Sequence, residues 1–380
     1  MYPFRIILPT LCALGLLACD SPTLESDFPE GELLDVGALA LAADGTVEGH
    51  YLVRLVEGAD PASVAGRHGL VTTYGYRHAI TGFAAFIPSG KVREVAGDPS
   101  VLGVEPDRAI KLTAQTVPWG ISRVGATTSS TRAGDGVGAV TGPTVFVIDT
   151  GIDARHPELN VVGHVAFVRG RNADCNGHGT HVAGSIGARD NDSGVVGVAP
   201  GVALVGVKVM DCAGSGTWSS LLAGMDYVAR SSASAKVANV SLSGAFNQGV
   251  NDAAARLVLA DVAVAVASGN DSVDARERSP ASEPSVLTVG AFDANGSVTA
   301  WSNFGPAVDL AAPGEEILST ARGGGVTTMT GTSMASPHVA GALALYRARV
   351  PAASATQAQA AVVSAATASQ GLRKLFVGNW

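Results

Sequence analysis

Four residues with reactive or hydrogen-bonding side chains stand at the ends of apolar runs or at the starts of helical patterns. Asp149 and Asn270 each follow a short apolar run, whereas His178 and Ser333 each stand at the start of a helical pattern. A serine hydroxyl becomes a strong nucleophile when a neighbouring base removes its proton, and histidine titrates near neutrality. A carboxylate can orient that histidine, and an amide can stabilise an oxyanion. The four residue types therefore predict nucleophilic catalysis at Ser333.

Other interpretations of these residues remain open. Asp149 alone could cap a turn, and Cys175, His178 and His181 could be metal ligands, although structural zinc needs four. An α/β-hydrolase has the order Ser, Asp, His and a glycine two residues after its nucleophile, whereas Ser333 comes last here and Ala335 stands at that place. A catalytically silent binding module with the same fold is the alternative from another functional class.

Short apolar runs alternate with helical patterns beyond about residue 113. Runs without polar alternation are typical of strands buried on both faces of a parallel sheet, and strand–helix alternation forms right-handed βαβ units. We therefore predict an α/β fold with a doubly wound, mostly parallel sheet. Ligands bind such sheets at the carboxyl ends of the strands, so the four candidates should meet there. The predicted strands are 144–148, 202–209, 238–242, 262–267 and 286–290, and the predicted helices are 178–187, 219–230, 250–260 and 339–346.

Residues 45–113 predict a separate, small α+β domain. The segment has strand patterns at 51–56, 81–87 and 101–106, with helical patterns at 61–68 and 91–96. It has no clustered histidine, cysteine or acidic residues. Since the domain lacks such residues, we predict a structural or chaperoning role for it and no catalytic role.

The first 19 residues have the pattern of an export signal. Arg5 precedes an apolar run over residues 6–18, which is shorter than the roughly 20 residues of a transmembrane helix. The run ends in Leu16-Leu17-Ala18-Cys19, which resembles a bacterial lipoprotein signal in which Cys19 is lipidated. A plain cleaved signal peptide is the alternative. Residues 20–44 predict a linker.

Composition excludes two broad classes of protein. Of the 380 residues, 47% are hydrophobic and only 15% are charged, whereas disordered chains are poor in apolar and rich in charged residues. A net charge of −8 argues against nucleic-acid binding, which needs a basic surface. With Cys12 and Cys19 assigned to the signal, an oxidising compartment allows one disulfide, which we expect between Cys175 and Cys212.

Three motifs resemble the signatures of the subtilase family of serine proteases. They are V-I-D-T-G-I at 147–152, N-G-H-G-T-H-V-A-G at 176–184 and G-T-S-M-A-S-P-H-V-A-G at 331–341. Their order, Asp, His, Ser, is the order in subtilisin. The segments D-C-N-G-H at 174–178 and S-P-A-S-E-P-S-V at 279–286 are similar to the proteinase K branch. The resemblance covers about residues 116–380 and implies an endopeptidase that acts on proteins or peptides.

The resemblance also implies a role for individual residues. The catalytic residues would be Asp149, His178 and Ser333, with Asn270 at the oxyanion. Two segments would pair with the substrate backbone and a third would line the specificity pocket: Gly214, Ser215 and Gly216; Ser241, Leu242, Ser243 and Gly244; and Ala267, Ser268 and Gly269. A structural Ca²⁺ would be held by Pro284, Val286 and Asp309. The branch often has glycine where this chain has Ser243, which leaves the preferred substrate side chain open.

The domain at 45–113 is similar to the inhibitor propeptides of subtilases. The similar segments are Y-L-V at 51–53, T-G-F-A-A at 81–85 and V-E-P-D at 104–107. The resemblance implies a transient inhibitor that assists folding and is cut off near residues 113–116. We therefore expect an exported, monomeric enzyme, released from any lipid anchor on the precursor by that cleavage.

Overall fold

The structure, a computed structural model, describes residues 46–108, 115–369 and 372–380. The predicted signal peptide at 1–19, the lipidation at Cys19 and the linker at 20–44 lie outside the described residues. The described part divides into two compact units, one on each side of the boundary between residues 112 and 113. Within the described ranges, no helix is long and apolar enough to span a membrane.

The first unit is a four-stranded antiparallel sheet with two short helices. The strands are β1 (Thr46–Leu55), β2 (Thr72–Tyr76), β3 (Gly82–Phe86) and β4 (Val101–Arg108), and the helices are α1 (Pro61–Arg67) and α2 (Val92–Ala96). The strand order is β2-β3-β1-β4. The sequence pattern missed β2, because this edge strand is polar and half exposed and shows no clear apolar face.

A nine-stranded sheet forms the centre of the second unit. Its strands in chain order are β5 (Thr144–Asp149), β6 (Val161–Ala166), β7 (Ala203–Lys208), β8 (Lys236–Val240), β10 (Ala263–Ala267), β12 (Leu287–Phe292), β13 (Leu310–Pro313), β16 (Thr367–Ser369) and β17 (Leu372–Lys374). The strand order is β16-β17-β13-β12-β10-β8-β5-β7-β6, and every pair except β16–β17 is parallel. The prediction of a doubly wound, mostly parallel sheet is confirmed.

Helices cover both faces of this sheet. They are α3 (Trp119–Arg123), α4 (His178–Gly187), α5 (Trp218–Ala229), α6 (Gln248–Leu259), α7 (Thr332–Arg349) and α8 (Ala355–Ala365). Two small antiparallel pairs join β9 (Gly244–Ala245) to β11 (Arg278–Ser279) and β14 (Ile317–Thr320) to β15 (Val326–Met329). The apolar pattern predicted α7 only from residue 339, because its first two turns are buried while carrying Thr332, Ser336 and His338.

Two apolar cores form because successive strand residues point to opposite faces. In β5, Val145 and Val147 pack with α4 and α7, whereas Phe146 and Ile148 pack with α5 and α6. Both cores consist largely of Val, Ala and Leu, and most of their residues are almost fully buried. The packing fixes the carboxyl edge of the strands as a rigid base for the polar residues that follow them.

Candidate active site

The sheet register brings three of the predicted segments to one edge. Ile148 in β5 lies beside Val240 in β8, and Val240 lies beside Val266 in β10. Adjacent strands are about 4.8 Å apart, so the residues that follow these three reach the edge side by side. Those residues are Asp149, Ser241 and Ala267.

Asp149 and His178 form a hydrogen-bonded pair. The buried Asp149 carboxylate accepts hydrogen bonds from Nδ1 of His178, at 2.8 Å to Oδ1 and 2.9 Å to Oδ2. Burial alone would lower the pKa of His178, but the charge of Asp149, its hydrogen bond and the charge of Asp174 together outweigh burial and raise that pKa above its ordinary value. The His178 side chain is 27% exposed. With Nδ1 facing the carboxylate, Nε2 is the nitrogen left for proton transfer.

Asp174 orders the loop that carries His178. Its carboxylate accepts hydrogen bonds from the backbone N–H groups of Asn176, Gly177 and Thr180 at 2.9–3.0 Å. It also accepts from the hydroxyls of Thr180, at 2.5 Å, and Thr150, at 3.0 Å. The loop is therefore fixed on both sides of the histidine. Sequence reasoning missed this role of Asp174, although a carboxylate shortly before a helix start is a usual signal for such binding.

Ser333 lies in the first turn of α7 and contacts the segment that follows β8. Its hydroxyl donates to the carbonyl of Ser241 at 3.1 Å, and the Ser241 hydroxyl donates to the carbonyl of Ser333 at 2.8 Å. Ser241 also shares a hydrogen bond of 2.9 Å with the hydroxyl of Ser336. These contacts fix Ser333 against a predicted substrate-binding segment.

The side-chain nitrogen of Asn270 and the backbone nitrogen of Ser333 both lie close to Gly331. The side-chain oxygen of Asn270 accepts from the N–H of Thr332 at 2.9 Å and from its hydroxyl at 2.8 Å, so the amide nitrogen points away from them. A methyl group built on Gly331 would lie 3.4 Å from this nitrogen and 3.7 Å from the Ser333 nitrogen. Two N–H donors within 3.7 Å of one point suit a developing oxyanion.

Two of the predicted substrate segments border one cavity. Gly216 on one side and Leu242, Ser243 and Gly244 on the other line a cavity of about 330 Å³, with Trp218 between them. Gly216 pairs with Met210 as an isolated antiparallel bridge. Gly214 and Ser215 precede it on the loop, where the Ser215 carbonyl accepts from Asp211.

Asn303 supports the third segment, Ala267 to Gly269. Its side-chain nitrogen donates to the Ser268 carbonyl at 2.8 Å, and its side-chain oxygen accepts from the backbone N–H groups of Asp271 and Val273 at 2.9 and 3.1 Å. Ser268 and Asn303 are both buried. Asn303 was not predicted, because it lies 33 residues after Asn270 in the sequence and carries no local motif.

Cys175 and Cys212 form the predicted disulfide. The bridge joins the loop before His178 to the loop that leads into Gly214.

His181 donates from Nε2 to the Ile317 carbonyl at 2.9 Å. The interpretation of Cys175, His178 and His181 as zinc ligands is therefore wrong, because each side chain has a different partner.

The residues predicted to hold calcium lie near the start of β12. Asp309 is half-buried and accepts the backbone N–H of Thr288 at 2.8 Å, two residues beyond Val286. Burial raises the pKa of Asp309. Pro284 and Val286 would contribute backbone carbonyls. In the described part of the chain, no three His, Cys, Asp or Glu side chains cluster as metal ligands, so carbonyls would have to complete any cation site here.

A second group of oxygen atoms surrounds Gln115. The side-chain nitrogen of Gln115 donates to the carbonyls of Arg189, Ser193 and Val195 at 2.8, 3.4 and 3.4 Å. Its side-chain oxygen is buried and has no hydrogen-bond partner. The buried Glu158 carboxylate binds the same loop through the Ser193 hydroxyl at 3.0 Å. Sequence reasoning missed this group; the run D-N-D-S-G at 190–194 was the available signal.

A parallel α/β sheet with a serine at a helix start and an Asp–His pair at its carboxyl edge defines a serine hydrolase. The family model "Subtilase family" matches residues 140–378, and the model "Peptidase inhibitor I9" matches residues 52–113. The chain therefore belongs to the subtilase family. It is a subtilisin-like serine endopeptidase preceded by an inhibitor-type propeptide.

Similar proteins span most of the chain. Proteinase R of Parengyodontium album is 40% identical over 337 residues, which cover 84% of each chain. The cuticle-degrading protease of Metarhizium anisopliae is 42% identical over 287 residues, which cover 71% of each. The crystal structure of a cold adapted subtilisin-like serine proteinase superposes with a TM-score of 0.62 at 36% identity, covering 68% of this chain and 97% of that one.

Proposed function

We propose that Ser333, His178 and Asp149 cleave peptide bonds through an acyl-enzyme. The Ser333 oxygen attacks the substrate carbonyl while Nε2 of His178 removes the hydroxyl proton, and Asp149 stabilises the imidazolium. His178 then gives this proton to the departing amine. Water, activated by the same imidazole, releases the acyl group. The observation that carries the proposal is the hydrogen bond between His178 Nδ1 and the buried Asp149, which leaves Nε2 available as the base.

The oxyanion and the substrate backbone would be held by the groups around Ser333. Asn270 Nδ2 and the Ser333 backbone nitrogen lie within 3.7 Å of one point beside Gly331, which supports their role as oxyanion donors. Gly214 to Gly216 and Ser241 to Gly244 would bind a peptide as an added strand, largely through main-chain hydrogen bonds. Hydrogen bonds to the substrate backbone do not depend on the substrate side chains. We therefore infer that the substrates are proteins or peptides of varied sequence.

A fluorophosphonate probe tests this mechanism directly. We expect the folded, mature enzyme to be labelled at Ser333, because the probe reacts with a serine whose proton a base removes. Heat-denatured enzyme should not be labelled, and peptide mapping by mass spectrometry identifies the site. Absence of labelling on folded enzyme would instead support a catalytically silent binding module.

We further propose that residues 45–113 form a propeptide that is removed by the enzyme itself. Parallel sheets fold slowly because their strand pairs join distant parts of the chain. A propeptide that speeds the folding of the protease domain would offset this slowness. The cut near residues 113–116 would leave a mature domain at about 116–380. Export through the signal at 1–19 is part of this proposal, and lipidation of Cys19 stays a prediction from the sequence.

We propose structural Ca²⁺ at two oxygen-rich places. Calcium prefers carboxylate and carbonyl oxygens, and when bound it would offset the repulsion among them. At the first place Asp309 would bind with the carbonyls of Pro284 and Val286. At the second, the Gln115 amide would turn so that its oxygen, which has no partner now, replaces its nitrogen beside the carbonyls of 189, 193 and 195, with the Glu158 carboxylate bound to the same loop. The orphaned buried oxygen is the observation that supports this second site.

Calcium removal should lower the melting temperature of the mature enzyme. A cation at about 100 times its Kd contributes about 2.7 kcal/mol per site, which corresponds to roughly 5–10 °C for a domain of this size. Differential scanning calorimetry of fluorophosphonate-inactivated enzyme, with and without a chelator, measures the shift without autolysis.

Matched variants locate the effect at the second site. Glu158→Gln should remove part of the calcium-dependent shift, whereas Asp192→Asn should retain it. Asp192 is an exposed acid of the same loop, so this control removes the same charge. An identical calcium response in the wild type and Glu158→Gln would rule out the site at Gln115 and Glu158.

A further inference from the structure

Lys208 is a buried lysine beside the Asp149 end of the candidate active site. It is the last residue of β7, and in the sheet it pairs with Asp149, the last residue of β5. Lys208 is only 1% exposed. Lysines are almost never fully buried unless the ammonium has partners. The contacts of this ammonium therefore show which parts of the molecule it holds together.

The Lys208 ammonium uses all three of its donors. Nζ donates to the carbonyls of Thr150 and Met210, both at 2.7 Å, and to Sγ of Cys175 at 3.6 Å. An ammonium has three donors and no acceptor, so these partners satisfy it completely. Contacts of 2.7 Å are typical of hydrogen bonds from a charged donor. The side chain is thus a fixed link between three segments.

Two of these partners belong to the segments that carry the Asp149–His178 pair. Thr150 follows Asp149, and its hydroxyl accepts the backbone N–H of the residue after His178 at 2.9 Å. Cys175 lies in the loop before His178, three residues away. The Lys208 ammonium therefore holds the backbone that leads to each member of the pair.

The third partner leads to a predicted substrate segment. Met210 forms an antiparallel bridge with Gly216, the last residue of the segment 214–216. The backbone N–H of Met210 also donates to the carbonyl of Asp149 at 3.3 Å. Lys208 therefore connects the proposed triad with the segment that would bind the substrate backbone.

The positive charge of Lys208 lies among acidic groups of the active site. Burial lowers the pKa of this ammonium, whereas the negative charges of Asp174, Asp211 and Asp149 oppose that effect. Its hydrogen bonds go to carbonyls and sulfur, so its charge acts on these carboxylates without a direct ion pair. A cation near Asp149 offsets part of the negative charge that favours protonation of His178.

On the basis of the proposed function, we propose that Lys208 is a positioning residue for catalysis, which holds Asp149, the His178 loop and the substrate segment in register and offsets the charge of Asp149. It touches neither the substrate nor the reacting atoms and acts through the residues that do. Without the ammonium, the carbonyls of Thr150 and Met210 lose a strong donor, so their segments gain by moving toward other donors.

Lys208→Met tests the positioning, because methionine is a long side chain with neither charge nor donors. We expect kcat to fall roughly 10–100-fold, since displacements of about 1 Å at a reacting group have effects of this size. Rates on a peptide p-nitroanilide are divided by the number of sites labelled by a fluorophosphonate, so that only folded enzyme is counted.

The pH profile of kcat/KM separates this role from a merely structural one. In Lys208→Met the charges of Asp149 and Asp174, which raise the pKa of His178, are less opposed. The imidazole then becomes neutral only at higher pH, so the midpoint of activity should rise by about half a unit. His181, whose pKa burial lowers to about 4, is neutral across this range in both enzymes.

Lys236→Met is the matched control. Lys236 is also buried and donates to two backbone carbonyls, of Ala229 at 3.5 Å and Ser231 at 3.2 Å. It begins β8 and pairs with Thr144, the first residue of β5, so it lies at the opposite edge of the sheet. This variant should lower the melting temperature while leaving kcat and the pH midpoint at the wild-type values.

Lys208→Arg separates charge from geometry and carries the test if Lys208→Met does not fold. Arginine keeps the charge but cannot direct one nitrogen at all three partners, so kcat should fall while the pH midpoint stays at the wild-type value. An unchanged midpoint in folded Lys208→Met, or a wild-type kcat or a raised midpoint in Lys208→Arg, would overturn the proposal. Failure of the proposed function is distinguishable, because the wild type would then take no fluorophosphonate label.

Discussion

Replacement of Ser333 by alanine should abolish proteolysis and leave the chain as an unprocessed precursor. The variant has no hydroxyl to attack the peptide carbonyl, so no acyl-enzyme forms. We expect kcat to fall by about 10⁶-fold, the size of the effect known for subtilisin. The Ser333 side chain makes one hydrogen bond, to the Ser241 carbonyl, so the variant should fold as the wild type does.

Electrophoresis and N-terminal sequencing measure the processing. The wild type should yield a mature band that begins near residues 113–116, and Ser333→Ala should yield only the longer species. Ser297→Ala, at an exposed serine whose backbone N–H contacts Asp293, should process normally. A normal mature band from Ser333→Ala, in a host without other proteases, would show that another enzyme removes the propeptide.

Replacement of Asp149 by asparagine should lower kcat by about 10⁴-fold with little change in KM. The carboxylate accepts the Nδ1 proton of His178, and an amide can turn its NH₂ group toward that nitrogen. The imidazole would then carry its proton on Nε2 and could not act as a base toward Ser333. Steady-state kinetics on a single peptide substrate measures the effect.

The pH dependence separates this role from a structural one. In the wild type, activity should rise with pH through a midpoint above 6.5, because Asp149 raises the pKa of His178 and only the neutral imidazole is a base. In Asp149→Asn this charge and its hydrogen bond are lost, so burial, which lowers the pKa of His178, is opposed only by the charge of Asp174. The midpoint of the residual activity should therefore move to lower pH.

Asp226→Asn is the control for loss of a negative charge. Asp226 lies on the exposed face of α5 and pairs with Arg230. Its replacement should leave both kcat and the pH midpoint unchanged. An Asp149→Asn variant with a wild-type pH midpoint would contradict the assignment of Asp149 as the residue that raises the pKa of His178.

Sequence patterns predicted the class of the fold because buried parallel strands and helices leave local signals. Strand β5 and helix α4 were predicted almost to the residue, since each is a continuous apolar or glycine-rich segment. Strand β6 was missed: the edge strand Val161–Ala166 is only partly buried and has no apolar run of the expected kind.

The sequence alone predicted the class of the enzyme and the residues proposed to react. Asp149, His178 and Ser333 each lie within a contiguous motif, and Asn270 follows a short apolar run. Because ligands bind parallel sheets at the carboxyl ends of the strands, all four are predicted at one edge of the sheet. Each of these motifs is a short, continuous segment. The residues next to each reactive side chain are therefore visible in the sequence itself.

Only the tertiary structure decided the contacts between residues far apart in the chain. The lining of one cavity by both Gly216 and Ser243, the support of the 267–269 segment by Asn303 and the binding of the 189–195 loop by Gln115 and Glu158 have no local signature. Each depends on sheet register and on loops packed against a rigid edge, where a displacement of one residue would change every distance. The sequence therefore predicts the reacting groups, whereas the packing of distant segments decides which side chains surround them.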